Sequence, residues 1–145
     1  MLTPLSSQQI VDSPTQLRDM IQIKNAESDK SRIVAGYCWD WVSKLSPQKS
    51  DLIFTEHNFQ ATWNLFSHGQ GWLIQPDSHK QVGCIHTCQG LELDYVGVII
   101  GPDLIVRDGE LVTVPSARAK TDTSLNGYKK ELKVNPARAE KKADE

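Results

Sequence analysis

The chain has 145 residues and 16.2 kDa, room for one domain that hides roughly 68–70% of the surface its unfolded chain exposes, and no room for a second complete one. Hydrophobic residues at 39%, charged residues at 23% and a mean hydropathy of -0.42 describe a soluble globular protein. They exclude a bilayer-spanning chain, because the longest apolar run, 95–100, is far too short to cross a membrane. A formal net charge of -2 removes any nucleic-acid argument from global charge, so such a role must rest on a local surface or a partner domain.

The first twelve residues have no apolar period and no basic segment leading into an apolar core. They read as a flexible leader without a secretory signal, which makes a cytoplasmic location the expectation. Ser13-Pro14-Thr15-Gln16 then reads as a helix start, with Ser13 as N-cap, Pro14 at the first helical position and Gln16 placed to close a capping box. Leu17, Met20 and Ile21 follow at helical spacing as the buried stripe, and the helix is expected to fade near Ser28.

Arg32-Ile33-Val34-Ala35-Gly36 predicts a buried strand that ends at a glycine and runs into an aromatic corner, Tyr37 to Trp41. Leu52-Ile53-Phe54 predicts a second strand. From Glu56 to Lys80 the pattern predicts irregular structure with a short helix near Ala61 to Phe66. Val82 to Ile85 predicts a strand, His86 to Glu92 a turn or short helix, and Tyr95 to Ile100 another strand. Its unbroken apolarity implies burial on both faces, as in a parallel sheet covered by helices.

Leu104-Ile105-Val106 and Leu111 to Val114 flank Asp108-Gly109, a strong hairpin signal and an excursion from the sheet. Beyond Pro115 a polar loop leads into the charged stretch 129–145, read as a solvated tail because mixed-sign charge with few apolar residues forms no core.

The segment from Cys84 to Val96 contains His86-Thr87-Cys88-Gln89-Gly90-Leu91-Glu92 between two apolar strands. It resembles motif V of superfamily 1 helicases. With Arg32 to Trp39, Thr62-Trp63-Asn64 and Ile100 to Leu104 added, the chain resembles the Schlafen group 3-like DNA/RNA helicase domain family, a bacterial group of predicted ATP-binding proteins.

That resemblance implies an α/β fold of the RecA-like type: a mostly parallel sheet flanked by helices, over 13–128, forming one half of a two-domain helicase core. It also implies roles for residues. Glu92 would accept a hydrogen bond from the nucleotide ribose, Gln89 and Gly90 would lie near the phosphates, and His86 and Thr87 would face the nucleic acid, DNA or RNA. The chemistry is coherent, because a carboxylate suits a sugar hydroxyl and repels phosphate, while glycine lets a backbone turn sharply or approach a ligand.

No Gly-x-x-x-x-Gly-Lys-Ser/Thr loop and no apolar strand ending in Asp-Glu occurs. The isolated chain is therefore expected to have no catalytic residue of its own and to hold no tightly bound cofactor. ATP and magnesium would belong to a parent protein in which an upstream phosphate-loop domain, in cis or in trans, is the partner. By resemblance an arginine-bearing motif VI would follow 145, so the tail is expected to be truncated ahead of it. A stand-alone binding module for nucleic acid or protein, with the fold kept and the chemistry lost, is the competing reading.

Other chemistries weigh less. Cys84-x-His86-x-Cys88 lacks the paired spacing of a zinc site and has no evident fourth ligand. Nothing in the sequence orients a Cys–His pair for nucleophilic attack, so buried thiols are the better reading. Of the four tryptophans, Trp39 and Trp63 read as core, and Trp72, between Gly71 and Leu73, is the one to test for stacking on a base. Arg118 is the nearest arginine that could reach a phosphate, although loop arginines are usually solvated.

Overall fold

The computed structural model describes residues 7–64, 69–124 and 126–139. Helix α1 spans Pro14–Ser28 and opens on extended Ser13, whose side chain accepts from the Gln16 amide at 3.1 Å, with proline in the first turn; the Gln16 side chain does not return the bond, so the expected capping box is half formed. It stops at Asp29, whose left-handed backbone (φ 55°) returns its amide to the Asn25 carbonyl. Ile21 is buried, and Leu17 and Ile21 press so closely on Gly97 that a Cβ there would lie 2.9 Å from Leu17 Cδ1.

Strand β1 (Ser31–Ala35) is the centre of a three-stranded sheet, parallel on one side to β4 (Val82–Gly83) and on the other to β5 (Tyr95–Ile99). The chain is thus an α/β protein with a parallel sheet, as expected. The core lies on the α1 face, where Ile21, Ile33 and Val82 meet Leu52, Phe59 and Trp63.

Four expectations are corrected. A strand β3 (Phe59–Ala61) pairs antiparallel with β2 (Leu52–Phe54), so Ala61 ends a hairpin instead of starting a helix, and 62–64 are not helical. The rest of that expected helix, 65 and 66, lies outside the described residues. Short 3-10 turns at Gly69–Ile74 and Ser78–Lys80 complete the stretch. β2 stands where the sequence predicts it, whereas β3 and its pairing are not legible, because three residues are too short to show alternation.

β4 is also shorter than expected: Cys84 already caps helix α2 (Ile85–Cys88). β5, in turn, is not buried on both faces. Gly97 faces α1, while Val96 and Val98 on the opposite face are 49% and 58% exposed, because β5 packs chiefly on β1 and α1 whereas the Ser78–Lys80 turn packs on β1.

β6 (Leu104–Arg107) and β7 (Glu110–Thr113) form the expected hairpin. Asp108 (φ 52°) and Gly109 (φ 84°) supply the two positive backbone angles of its turn. The charged stretch expected as a solvated tail opens instead with helix α3 (Tyr128–Val134), and Ala139 is fully buried; 140–145 lie outside the described residues. Among the described residues no helix is long and apolar enough to cross a membrane.

Candidate functional site

Parallel strands deliver the loops that follow them to one edge of a sheet, where α/β proteins place their ligands. Here the carboxyl edge receives the Gly36–Trp41 loop after β1, helix α2 after β4, and Gly101–Asp103 after β5. Between the β1 and β5 loops the edge is closed by protein. Cys38 Sγ donates to Asp103 Oδ1 at 2.8 Å, Tyr37 and Thr121 share a hydroxyl contact at 2.7 Å, and Ala119 donates its amide to the Tyr37 carbonyl.

Burial first, and then the neighbouring Asp103 carboxylate, push the Cys38 thiol up to about 12, so it stays protonated and cannot act as a thiolate nucleophile near neutral pH. Burial also raises the pKa of Cys88. Arg118 is held by this cluster, with Nε 2.9 Å from the buried Asp122 carboxylate and 3.9 Å from Asp103. Two carboxylates already neutralise it, which leaves little charge to offer a phosphate.

The α2 segment is open. Thr87 folds its hydroxyl back on the helix start, accepting from the Cys84 amide at 2.9 Å and donating to the Cys84 carbonyl at 2.7 Å. This is a capping box, with both polar functions of Thr87 used inside the protein. His86 is exposed. Cys84 points into the core at 5% exposure, so the alternating Cys-x-His-x-Cys does not share a face, and among the described residues no group of three or more His, Cys, Asp or Glu side chains converges as a metal site.

Gly90 takes a left-handed φ of 78° with open space where a Cβ would stand, so the glycine serves the turn and not a close neighbour. Gln89 and Glu92 are exposed and make no hydrogen bond or ion pair with another described residue. Glu92 therefore caps no turn, and its carboxylate is available to a ligand.

The segment that carries these five residues runs from one edge of the sheet to the other. α2 starts at the carboxyl edge, level with Ala35, whereas the Asp94 amide is tied to the Lys30 carbonyl at the amino edge, at 2.8 Å. Four strand residues, about 13 Å, separate those levels. His86 and Thr87 lie at the first end, and Glu92 lies two residues from the second.

Sequence reasoning missed what holds this segment from behind. Trp72 is 2% exposed, and a Cβ on Gly83 would lie 2.6 Å from its ring and 3.0 Å from Thr87 Oγ1. Trp72 is thus a buttress under the start of α2, and at that burial the tryptophan singled out for a stacking test has no ring face open to a base. The loop carrying it is anchored by Arg32, 1% exposed, whose guanidinium donates to the Leu73 carbonyl at 2.9 Å and to the Asn25 side chain. Burial lowers the Arg32 pKa, and Asp29 opposes the shift. Trp63 is core as expected, its Nε1 donating to the Ala35 carbonyl at 3.0 Å with Tyr37 stacked on it; Trp39 is half-buried against Phe54.

The family model for the Schlafen group 3, DNA/RNA helicase domain matches residues 7–145. The chain belongs to that family. No curated protein and no solved structure matches it significantly. The match to the Schlafen group 3 helicase domain takes in the whole of α2 and its flanking strands, so the exposed Gln89–Glu92 turn lies within a helicase-related domain. Within that domain the match assigns no residue a role.

Proposed function

We propose that this helicase-family domain supplies one wall of an ATP and nucleic-acid site, completed by a phosphate-loop domain that brings the nucleotide cradle and the magnesium. The observation that carries the reading is the Gln89-Gly90-Leu91-Glu92 turn: an amide, a left-handed glycine and a carboxylate, all exposed, the two side chains without a described partner, on a segment fixed at both ends. In this reading Glu92 accepts from a ribose hydroxyl, and Gln89 with the Gly90 backbone lies near the phosphates.

His86, one edge away, faces the polynucleotide. Thr87 orients it by holding α2 in place, since the Thr87 hydroxyl is occupied. The separation of the two ends suits two ligands, a nucleotide at one and a strand of DNA or RNA at the other.

The test is calorimetry of ATP binding to the protein joined to its phosphate-loop domain, with and without Glu92→Ala. Losing one charge-assisted hydrogen bond should weaken affinity by about 1–2 kcal/mol, with the melting temperature unchanged. Equal affinities in two well-folded proteins would remove Glu92 from the nucleotide site and favour the binding module without chemistry.

A further inference from the structure

β1 is the central strand of its sheet, flanked on both sides by other strands, yet it carries a charge. Arg32 lies there between Ser31 and Ile33 at 1% exposure. Arginine is almost never so buried unless it is well paired. Here the pairing is thin: among the described residues the carboxylate that faces it is Asp29, 3.4 Å away and itself 77% exposed, and the Arg32 Nε has no hydrogen-bond partner. A half-solvated ion pair returns little of the cost of burying a guanidinium, so an apolar side chain of similar volume would serve stability about as well.

What an apolar side chain lacks is the bridge. Nη1 donates to the Asn25 side-chain oxygen and to the Ser31 carbonyl at 2.9 Å, and Nη2 donates to the Leu73 carbonyl at 2.9 Å. The rigid planar fork thereby sets helix α1, strand β1 and the Gly69–Ile74 turn in one mutual geometry. Both branches lead to the segment 84–94. Through Leu73 the guanidinium fixes Trp72, whose ring lies against Gly83 and backs the start of α2. Through Asn25, which also accepts from the Ser31 amide at 3.1 Å, it fixes the corner at Lys30, and the Lys30 carbonyl holds the Asp94 amide at 2.8 Å.

We propose that Arg32 is a positioning residue for the whole segment 84–94, setting the end that bears His86 and the end that bears Glu92 relative to each other. It touches no ligand and acts through Trp72 at one end and Lys30 at the other. In the two-ligand reading, on which this rests, the spacing between a polynucleotide and a nucleotide is thus decided by a side chain that meets neither.

The test compares Arg32→Met, which keeps the length and removes the bridge, with Arg32→Lys, which keeps the charge and removes the fork. Amide exchange, the His86 ring resonances and the melting temperature are followed in the full chain, and ATP and oligothymidylate affinities are measured on the chain joined to its phosphate-loop domain. Arg32→Met should fold with a melting temperature lowered by about 5 °C or less, because the Asp29 carboxylate it leaves behind is solvated. Exchange should quicken by about tenfold or more at 84–88 and at 92–94 together, with Ile33 and Ala35 unchanged and the His86 resonances moved. Both ligands should bind about tenfold more weakly. Arg32→Lys should behave like Arg32→Met, because a point charge cannot hold acceptors on three elements in one plane. If neither variant folds, Trp72→Phe keeps Arg32 and should release the 84–88 end alone. Unchanged exchange at 84–94 in a folded Arg32→Met, or at 84–88 in Trp72→Phe, would overturn the proposal. So would wild-type behaviour of Arg32→Lys, which would make the residue a charge and not a bridge. A segment that moves while both affinities hold would overturn the two-ligand reading instead, and the ligand-side role of Arg32 with it.

Discussion

Two glycines on either side of α2 perform different work, and substitution separates them. At Gly90 the space is open and the backbone is left-handed, so Gly90→Ala should cost about 1 kcal/mol of local strain and leave the packing intact. At Gly83 the new methyl would stand 2.6 Å from the Trp72 ring. Gly83→Ala should therefore cost about 1–3 kcal/mol and shift the Trp72 indole resonance, which Gly90→Ala should leave in place. Denaturant titration with the indole NMR signal as a second readout checks both.

Cys38 makes a pH-dependent prediction at the same scale. Its folded pKa of about 12 lies above its unfolded value, so between the two the unfolded chain has lost a proton that the folded chain keeps. Stability should then fall as pH rises from about 9 towards 12, and be insensitive to this group below that window. Cys38→Ser should flatten that alkaline slope in chemical denaturation, and alkylation of Cys38 in the folded protein should remain slow at pH 8.

Among the elements, the β6–β7 ribbon packs chiefly on itself, with Leu104, Val106 and Leu111 exposed on one face. Isolated two-stranded ribbons are marginal in water, so its order depends on the Asp108-Gly109 turn. Gly109→Val should raise the energy of that turn by about 1 kcal/mol or more. The effect should appear as faster amide exchange in β6 and β7, with the α1–β1–β5 core unchanged, because the ribbon opens as a unit separate from that core. α1 behaves in the opposite way. Its last turn, through Asn25 and Asp29, holds Arg32, and Arg32 holds the Leu73 carbonyl, so the end of this helix fixes the loop that carries the Trp72 buttress.

For the whole molecule, the proposed division of labour predicts that this chain alone shows no ATP hydrolysis above buffer. Turnover needs a phosphate cradle, a magnesium carboxylate and a charge-stabilising arginine acting together. Neither the phosphate-loop pattern nor the magnesium motif is present, and Arg118 is neutralised by Asp103 and Asp122. A coupled assay at high protein concentration decides it: turnover that copurifies with the chain and disappears in Glu92→Ala would refute the division of labour.

By itself the sequence determined the features whose causes are local. The Ser13 cap and Pro14 start α1 because the partners lie within one turn. Asp108-Gly109 sets a hairpin because the backbone angles belong to those two residues, and the order of residues along the chain is enough to place it in its family. Tertiary structure decided whatever depends on a distant neighbour. The burial of Arg32 needs Leu73, 41 residues away, and the fate of Trp72 needs Gly83 beneath it. The β2–β3 hairpin needs Asp51, whose carboxylate accepts from the Ser43 and Trp63 amides at 2.8 and 2.7 Å. The exposure of β5 is of the same kind: its apolar run encodes burial on two faces, but only packing decides which face is covered, and here α1 covers one and leaves the other open.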